Sequence, residues 1–129
     1  MASVIPVAEA LYLCDDILSD PARIKPHLIG VLNSVRVPSL SHTLAKLCVF
    51  ATLVNGYGDV RCRVRIVNAR GREVMYESAE QLLRFTDRMQ TIYYRLRLTQ
   101  IIVPEAGEFW VELFCNDRFM DDATLLIYE

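Results

Sequence analysis

The sequence predicts an all-β fold, an immunoglobulin-like antiparallel β-sandwich of seven to eight strands. Residues 59–67, DVRCRVRIV, place an apolar side chain at every second position and arginines between them. Residues 92–99, IYYRLRLT, repeat much of this alternation. A period of two is typical of a strand with one buried face. Turn signals also recur every 8–12 residues or so, as they do in sandwich folds.

Apolar runs between turn signals define eight predicted strands. In chain order they are residues 7–14, 27–37, 44–54, 60–67, 73–76, 90–103, 109–115 and 119–128. The first run contains good helix formers, but it is short and ends at Asp15-Asp16, so we predict a strand. Gly30 lies inside the second run and indicates a bulge or a close approach of another part of the chain.

The turn Asn55-Gly56-Tyr57-Gly58 is the strongest in the chain, because Asn and Gly tolerate positive φ. We expect it to join residues 44–54 and 60–67 as an antiparallel hairpin. Residues 44–54 are apolar at nearly every position, which predicts a central strand with both faces covered, or a strand whose outer face contacts something else.

Two other connections carry weaker signals. Residues 15–26 contain Asp20-Pro21 and form a predicted loop. Residues 78–87 are polar and irregular, and within them residues 79–83 could form one helical turn.

Alternation also predicts which side chains face the core. Apolar positions of residues 59–67 should point inward, and the arginines between them outward. The predicted core comprises Leu11, Leu13, Ile29, Val31, Val49, Val60, Cys62, Val64, Ile66, Leu96, Leu98, Phe109, Val111, Leu113 and Ile127.

Composition limits the class of protein. A chain of 129 residues fits one domain, residues 1–129. Its hydrophobic content of 53% exceeds the usual 45–50% or so and leaves apolar surface for a partner. A net charge of −2 predicts no general attraction to nucleic acid or to a membrane surface. Because residues 1–14 lack a basic start and contain Pro6 and Glu9, we expect no export signal and a cytoplasmic location.

The four cysteines, Cys14, Cys48, Cys62 and Cys115, form no C-x-x-C pair. Two disulfides are formally possible, but four reduced core thiols are the favoured interpretation for a cytoplasmic protein. Acidic pairs such as Asp121-Asp122 show no calcium-loop spacing. We therefore expect no metal and no cofactor.

Three segments together resemble a family of small uncharacterised bacterial proteins, a conserved domain of unknown function. They are ALYLCDD at residues 10–16, LIGVLNSVR at residues 28–36, and PEAGEF at residues 104–109. The resemblance covers nearly the whole chain. It implies a compact bacterial β-sandwich, and it implies no activity, cofactor or catalytic residue.

The arginines offer one candidate site. Arg61, Arg63 and Arg65 share one strand face, and Arg95 and Arg97 share another. If both strands lay in one sheet, the five guanidinium groups could form a basic patch that binds phosphate or nucleic acid. Against this, the outward residues of 109–115 include an acid and an indole that could pair with arginines. We favour an ion-paired, solvated face.

Outward aromatic residues offer a second candidate. By alternation Trp110 and Phe114 point away from the core, and large aromatics beside arginines are typical of interface hot spots. The alternative is that a loop or residues 78–87 cover them. The interface candidates are Trp110, Phe114, Tyr93, Arg95, Arg97 and Glu112.

The sequence shows no catalytic motif. His27 and His42 lie near loops, and no serine or cysteine occupies a nucleophile frame such as G-x-S-x-G. A Cys–His pair assembled in space is left as a minor alternative. The predicted function is a non-catalytic protein-interaction module that self-associates as a homodimer or docks on a partner protein. A ligand-binding or nucleic-acid-binding domain that uses the arginine face is the alternative.

Overall fold

The computed structural model describes residues 3–19 and 25–129 of the chain. Within these residues the secondary structure is entirely β. Ten strands follow in chain order: β1 Val7–Leu18, β2 His27–Leu32, β3 Ser34–Arg36, β4 His42–Val54, β5 Gly58–Asn68, β6 Val74–Glu77, β7 Gln81–Phe85, β8 Ile92–Val103, β9 Gly107–Cys115 and β10 Arg118–Tyr128. No helix in this described part is long and apolar enough to cross a membrane.

The strands form two sheets that enclose one core, which confirms the predicted β-sandwich. The four-stranded sheet has the order β2-β1-β4-β8. The six-stranded sheet has the order β3-β10-β9-β5-β6, and β7 also pairs with β5. All pairs are antiparallel except β3 with β10, which are parallel.

The strand count exceeds the predicted seven to eight for two reasons. The predicted strand at residues 27–37 is divided at Asn33 into β2 and β3, which lie in different sheets. The predicted helical turn at residues 79–83 is wrong, because this segment forms most of β7 and pairs with β5. Leu83 and Phe85 alternate inward there, a period of two that outweighs local helix propensity.

The alternation in β5 is confirmed. Val60, Cys62, Val64 and Ile66 are fully buried, and the arginines between them point outward. Phe109, Val111 and Leu113 of β9 and Tyr94 and Leu98 of β8 are buried as predicted. All four cysteines are free and buried, as expected from their apolar surroundings.

The predicted hairpin between residues 44–54 and 60–67 is wrong. Strand β4 pairs with β1 and β8, whereas β5 pairs with β6, β7 and β9. The turn does reverse the chain, and Asn55 and Gly58 adopt the expected positive φ of 62° and 76°. It carries the chain from one sheet to the other, so the apolar faces of β4 and β5 lie on opposite walls of the core.

Part of the predicted core is also wrong. In β2, Ile29 and Val31 face solvent, whereas Leu28 and Leu32 take the inward positions. Leu11 and Leu96 are only partly buried, although they pack against the core. The run LIGVL is apolar in both phases, so alternation could not select the inward one.

Two further predictions concern Gly30 and the loop after β1. Gly30 has a φ of 65°, and a Cβ atom there would overlap the Asp15 carboxylate, which confirms the predicted close approach. Strand β1 continues to Leu18, so the loop predicted from residue 15 begins later. Asp20-Pro21 lies outside the described residues.

Candidate functional site

The outer face of the six-stranded sheet carries Arg61, Arg63 and Arg65, and the last two are ion-paired. Arg63 contacts Glu77 at 2.8 Å and Asp117 at 3.4 Å. Arg65 contacts Glu112 at 3.0 Å. Strands β6 and β9 supply Glu77 and Glu112, and the turn after β9 supplies Asp117, so this face is neutralised as the sequence interpretation expects.

Phe114 lies on this face but is hardly accessible. It points outward, as predicted, yet only 8% of it is exposed. The guanidinium groups of Arg63 and Arg65 cover one side of the ring at 4.5 and 4.7 Å from its centroid. Phe119 packs edge-on at 6.0 Å between ring centroids. The cover is therefore a pair of arginines and an aromatic ring, and not the predicted loop or residues 78–87.

Trp110 also points outward and is half-buried. It lies directly opposite Val67 on β5 and Thr124 on β10. The guanidinium group of Arg72 stands 5.5 Å from the centre of the Trp110 ring. This cation–π contact shields part of the indole, so the ring offers less free apolar surface than its outward phase suggests.

Tyr93, Arg95 and Arg97 lie on the opposite side of the molecule, on the outer face of the four-stranded sheet. Tyr93 stacks on Phe50 at 5.8 Å between centroids, and Arg95 hydrogen-bonds to the Ser19 hydroxyl. Arg97 contacts Asp16 at 2.9 Å.

The five arginines therefore do not form one patch, because β5 and β8 belong to different sheets. The same separation corrects the predicted interface. Trp110, Phe114 and Glu112 cannot share a single flat face with Tyr93, Arg95 and Arg97. A symmetric contact in which Arg95 or Arg97 meets Glu112 beside Trp110 is excluded for the same reason.

The structure adds a surface that the sequence interpretation missed, here named the β1–β2 patch. It consists of apolar side chains on the outer face of the four-stranded sheet, near its edge. Their exposed fractions are 47% for Tyr12, 51% for Leu18, 46% for Ile29 and 58% for Val31. Val31 lies opposite Cys14, and Ile29 lies opposite Asp16, so the four side chains follow two neighbouring strands.

The surroundings of the β1–β2 patch are electrostatically compensated. Asp16, beside Ile29, contacts Lys46 at 3.5 Å as well as Arg97. A hydrogen bond from the Ile17 amide lowers the pKa of Asp16, and Lys46 and Arg97 lower it further. A shallow groove of about 510 Å³ opens next to the patch, between Tyr12 and Val31 on one sheet and Thr124 on the other.

The sequence did contain a signal for this patch. Every second residue of β1 from Tyr12 to Leu18 points to the same face, and that face includes Cys14 and Asp16. Strand β2 is apolar in both phases. The missing information was the partner of each strand, because only the sheet order shows that β2 is an edge strand. For metal chemistry, the described residues contain no group of three or more His, Cys, Asp or Glu side chains arranged to hold an ion.

Comparisons with known proteins add a family and a fold. The sequence profile of a family of unknown function matches residues 9–128. No curated protein matches the chain in sequence.

Among solved structures, the chain is similar to part of a β-glucosidase from Listeria innocua. The complex with glucose gives a TM-score of 0.52 at 11% identity, and a second crystal structure of the same enzyme gives 0.51 at 12%. Each match covers 95% of this chain but only 16% of the glucosidase. At this identity the likeness shows the fold alone.

Proposed function

The chain belongs to the family of unknown function DUF6941, and from its exposed surfaces we propose that it is a non-catalytic protein-interaction module that self-associates through the β1–β2 patch. The observation that carries the proposal is the exposure of Tyr12, Leu18, Ile29 and Val31 on neighbouring strands. Contiguous exposed apolar side chains usually mark a contact surface. The β1–β2 patch therefore replaces the Trp110 and Phe114 surface as the leading candidate interface.

The position of β2 favours a second copy as the partner. Among the residues that the structure describes, β2 pairs only with β1, which leaves backbone groups of its other edge available. Antiparallel pairing of β2 with β2 of a second copy would extend the four-stranded sheet and place the two patches side by side. A two-fold contact of this kind is isologous, and two-fold dimers are the commonest oligomers.

The charges beside the patch support the same arrangement. Asp16 is already held by Lys46 and Arg97 of its own chain. Burying the patch would therefore leave that carboxylate paired, without the cost of an uncompensated buried charge.

The strand order supports an immunoglobulin-like sandwich as the finer description of the fold. Strands β4 and β8 are neighbours in one sheet, while β5, β9 and β10 are neighbours in the other. Strands β4, β8, β5, β9 and β10 correspond to strands B, E, C, F and G of that architecture, respectively. Strand β6, next to β5, takes the position of the additional strand C′. Strand β1, beside β4, takes the position of strand A, and β2 is the added strand.

The ligand-binding or nucleic-acid-binding alternative has less support. Arg63 and Arg65 are paired with acids, and Arg95 and Arg97 lie on the other sheet. We also propose a cytoplasmic location, because four free buried thiols are typical of a reducing compartment.

The proposal is tested by measuring the mass of the protein in solution. Sedimentation velocity over a range of micromolar concentrations should show a monomer–dimer equilibrium. The double variant Ile29→Lys, Val31→Lys should shift it to monomer while the thermal unfolding midpoint changes little, because both side chains are exposed. Val74→Lys, an exposed apolar position on the other sheet, is the matched control and should remain dimeric.

Three outcomes would contradict the proposal. A wild-type monomer at the highest soluble concentration would exclude self-association. If the double variant remains dimeric but Trp110→Glu is monomeric, the interface lies on the six-stranded sheet. Salt-sensitive binding of a polyanion, lost on neutralising Arg95 and Arg97, would favour the ligand-binding alternative.

A further inference from the structure

Two thiols of the core are in direct contact. The Sγ atoms of Cys62 on β5 and Cys115 on β9 lie 2.8 Å apart, and the two residues are directly opposite each other in the ladder. Non-bonded carbon atoms prefer a separation of about 3.5–4.0 Å. The two sulfur atoms therefore approach each other more closely than ordinary packing contacts do.

The backbone around this pair already suits a disulfide. Directly opposite residues of an antiparallel pair have Cα atoms about 4.5 or 5.5 Å apart. Disulfides usually span Cα distances of about 4.4–6.8 Å. A covalent bond between Cys62 and Cys115 therefore requires a small movement of the side chains and no change in the register of the strands.

We propose that Cys62 and Cys115 form a reversible redox site, which a hydroperoxide oxidises to an intramolecular disulfide. The proposal concerns the inside of the six-stranded sheet and does not depend on self-association through the β1–β2 patch.

The hydrogen bond between the thiols gives each one a different role. Either thiol can donate this hydrogen bond, and the arrangement in which Cys62 donates lowers the pKa of Cys115. The same hydrogen bond, followed by burial, raises the pKa of Cys62. Because the thiolate is the nucleophile, Cys115 attacks the oxidant and Cys62 resolves the product.

A buried phenol also lies in this part of the core. Burial raises the pKa of Tyr94, and the charges of Cys62 and Cys115 raise it further, whereas the Ser78 side chain acts in the opposite direction. The phenol therefore stays protonated in the surroundings of the cysteine pair.

Access to the pair comes from the end of the strand. Cys115 is the last residue of β9, and Asn116 and Asp117 after it form an exposed turn with positive φ at both positions. Strand ends open locally at a lower free energy than the centre of a sheet. A hydroperoxide as small as hydrogen peroxide can enter through such an opening.

The reaction balances in two steps. The Cys115 thiolate attacks one peroxide oxygen, so that an S–O bond forms, the O–O bond breaks and the second oxygen leaves as hydroxide, which takes up a proton to form water. The Cys62 sulfur then attacks the Cys115 sulfur, so that the S–S bond forms and the S–O bond breaks. The departing hydroxide takes the Cys62 proton. Two thiols lose two electrons and two protons, and one peroxide becomes two waters.

Cys14 and Cys48 provide an internal comparison. They are also directly opposite, on β1 and β4, but the Cys48 thiol donates to the Asp15 carbonyl oxygen at 3.7 Å. Burial raises the pKa of Cys14 to about 11, and Cys48, Asp15 and Asp16 contribute in the same direction. The Cys14 thiolate is therefore disfavoured and the Cys48 thiol is bonded to a backbone carbonyl, so we expect Cys62–Cys115 to oxidise first.

The experiment treats the reduced full-length protein with hydrogen peroxide and counts thiols in denaturant. Two of the four thiols should disappear, and proteolysis without reductant followed by mass spectrometry should identify one linked pair, Cys62 with Cys115. Dithiothreitol should restore all four thiols. The double variant Cys14→Ala, Cys48→Ala should still form the link, whereas Cys62→Ala and Cys115→Ala should not.

Stability supplies a second measurement. The bond would close a long loop of the unfolded chain, so the oxidised protein should unfold at a higher temperature than the reduced protein.

Three results would overturn the proposal. One is that the native protein keeps four free thiols under a peroxide treatment that oxidises the thiols of the denatured chain. Another is a link between Cys14 and Cys48, or between two molecules. The third is a stable sulfinic or sulfonic acid at Cys115 in place of the disulfide. The peptide map of the wild-type protein decides the outcome even if a cysteine variant does not fold.

Discussion

The guanidinium carbon of Arg63 lies 4.5 Å from the centroid of the Phe114 ring, directly opposite it on the neighbouring strand. Arg65 approaches the same ring to 4.7 Å. Both arginines also contact acids, Glu77 and Glu112 respectively, and these contacts orient them. An aromatic side chain on the outer face is thereby buried by charged neighbours, through the apolar stems of the arginines and cation–π contacts.

This burial makes Phe114 behave as a core residue. Phe114→Ala should lower the free energy of unfolding by about 3 kcal/mol, at the lower end of the range for buried Phe because one side of the cluster faces water. Leu126→Ala, at an exposed position on the same sheet face, should change it by no more than about 0.5 kcal/mol. Urea denaturation measures both values, and equal costs would show that the arginine cover is not formed in solution.

Val64 and Arg61 test the register of β5. Val64 is fully buried and Arg61 is exposed on the opposite face of the same strand. Val64→Asp would bury an unpaired charge at a cost of several kcal/mol, comparable to the whole stability of a domain. We expect it to unfold the protein, whereas Arg61→Asp should keep a native circular dichroism spectrum and a cooperative melt. The reverse result would show that the strand faces are inverted.

Gly30 is required by its own conformation and by Asp15. Gly30→Ala should lower the free energy of unfolding by about 1–2 kcal/mol from the positive φ alone, and by more because the new Cβ meets the Asp15 carboxylate. Adding Asp15→Ala removes the carboxylate but keeps the Asp15 Cβ at 3.1 Å, so it should recover most of the steric part and leave the conformational part. Gly71→Ala is the control, since its Cβ would meet only Glu73 at 3.8 Å or more. Chemical denaturation of the four proteins separates the two contributions, and a neutral Gly30→Ala would contradict this account.

The sequence predicts the local structure of each strand much better than it predicts which strands pair with one another. Alternation located the arginine and apolar faces of β5, because its two faces differ completely in polarity. Alternation could not orient β2, because this strand is apolar in both phases. Ile29 and Val31 were therefore wrongly predicted to lie in the core.

Long-range pairing was the other limit. The sequence predicted the turn after Val54 but not that β5 lies in the opposite sheet, because turn residues are the same whether a chain reverses within a sheet or crosses between sheets. For the same reason the sequence left open whether the five arginines share one face. The covered state of Phe114 and the contact of Cys62 with Cys115 depend on the β5–β9 register, which no local pattern contains.

The last prediction concerns pH, and it uses two carboxylates whose pKa values move in opposite directions. Burial raises the pKa of Asp122 above its ordinary value of 3.8, and the charges of Asp121 and Glu112 raise it further. A raised carboxyl pKa means that ionisation destabilises the folded state, and this penalty disappears as the pH falls through the folded and then the unfolded pKa. Asp122→Asn should therefore be more stable than wild type at neutral pH, by a few tenths of a kcal/mol after solvent screening, and equal to it below about pH 4.

Asp16 supplies the control of opposite sign. The Ile17 amide, followed by Lys46, lowers the pKa of Asp16 below 3.8. Its stabilising effect is present above the unfolded pKa and is lost as the pH falls through the folded pKa. Asp16→Asn should thus be less stable than wild type at neutral pH, and the difference should vanish in acid. Urea midpoints measured from neutral pH to pH 3 give both curves. A loss of stability in Asp122→Asn at neutral pH would mean that its carboxylate is stabilised by a partner and not strained by Glu112 and Asp121.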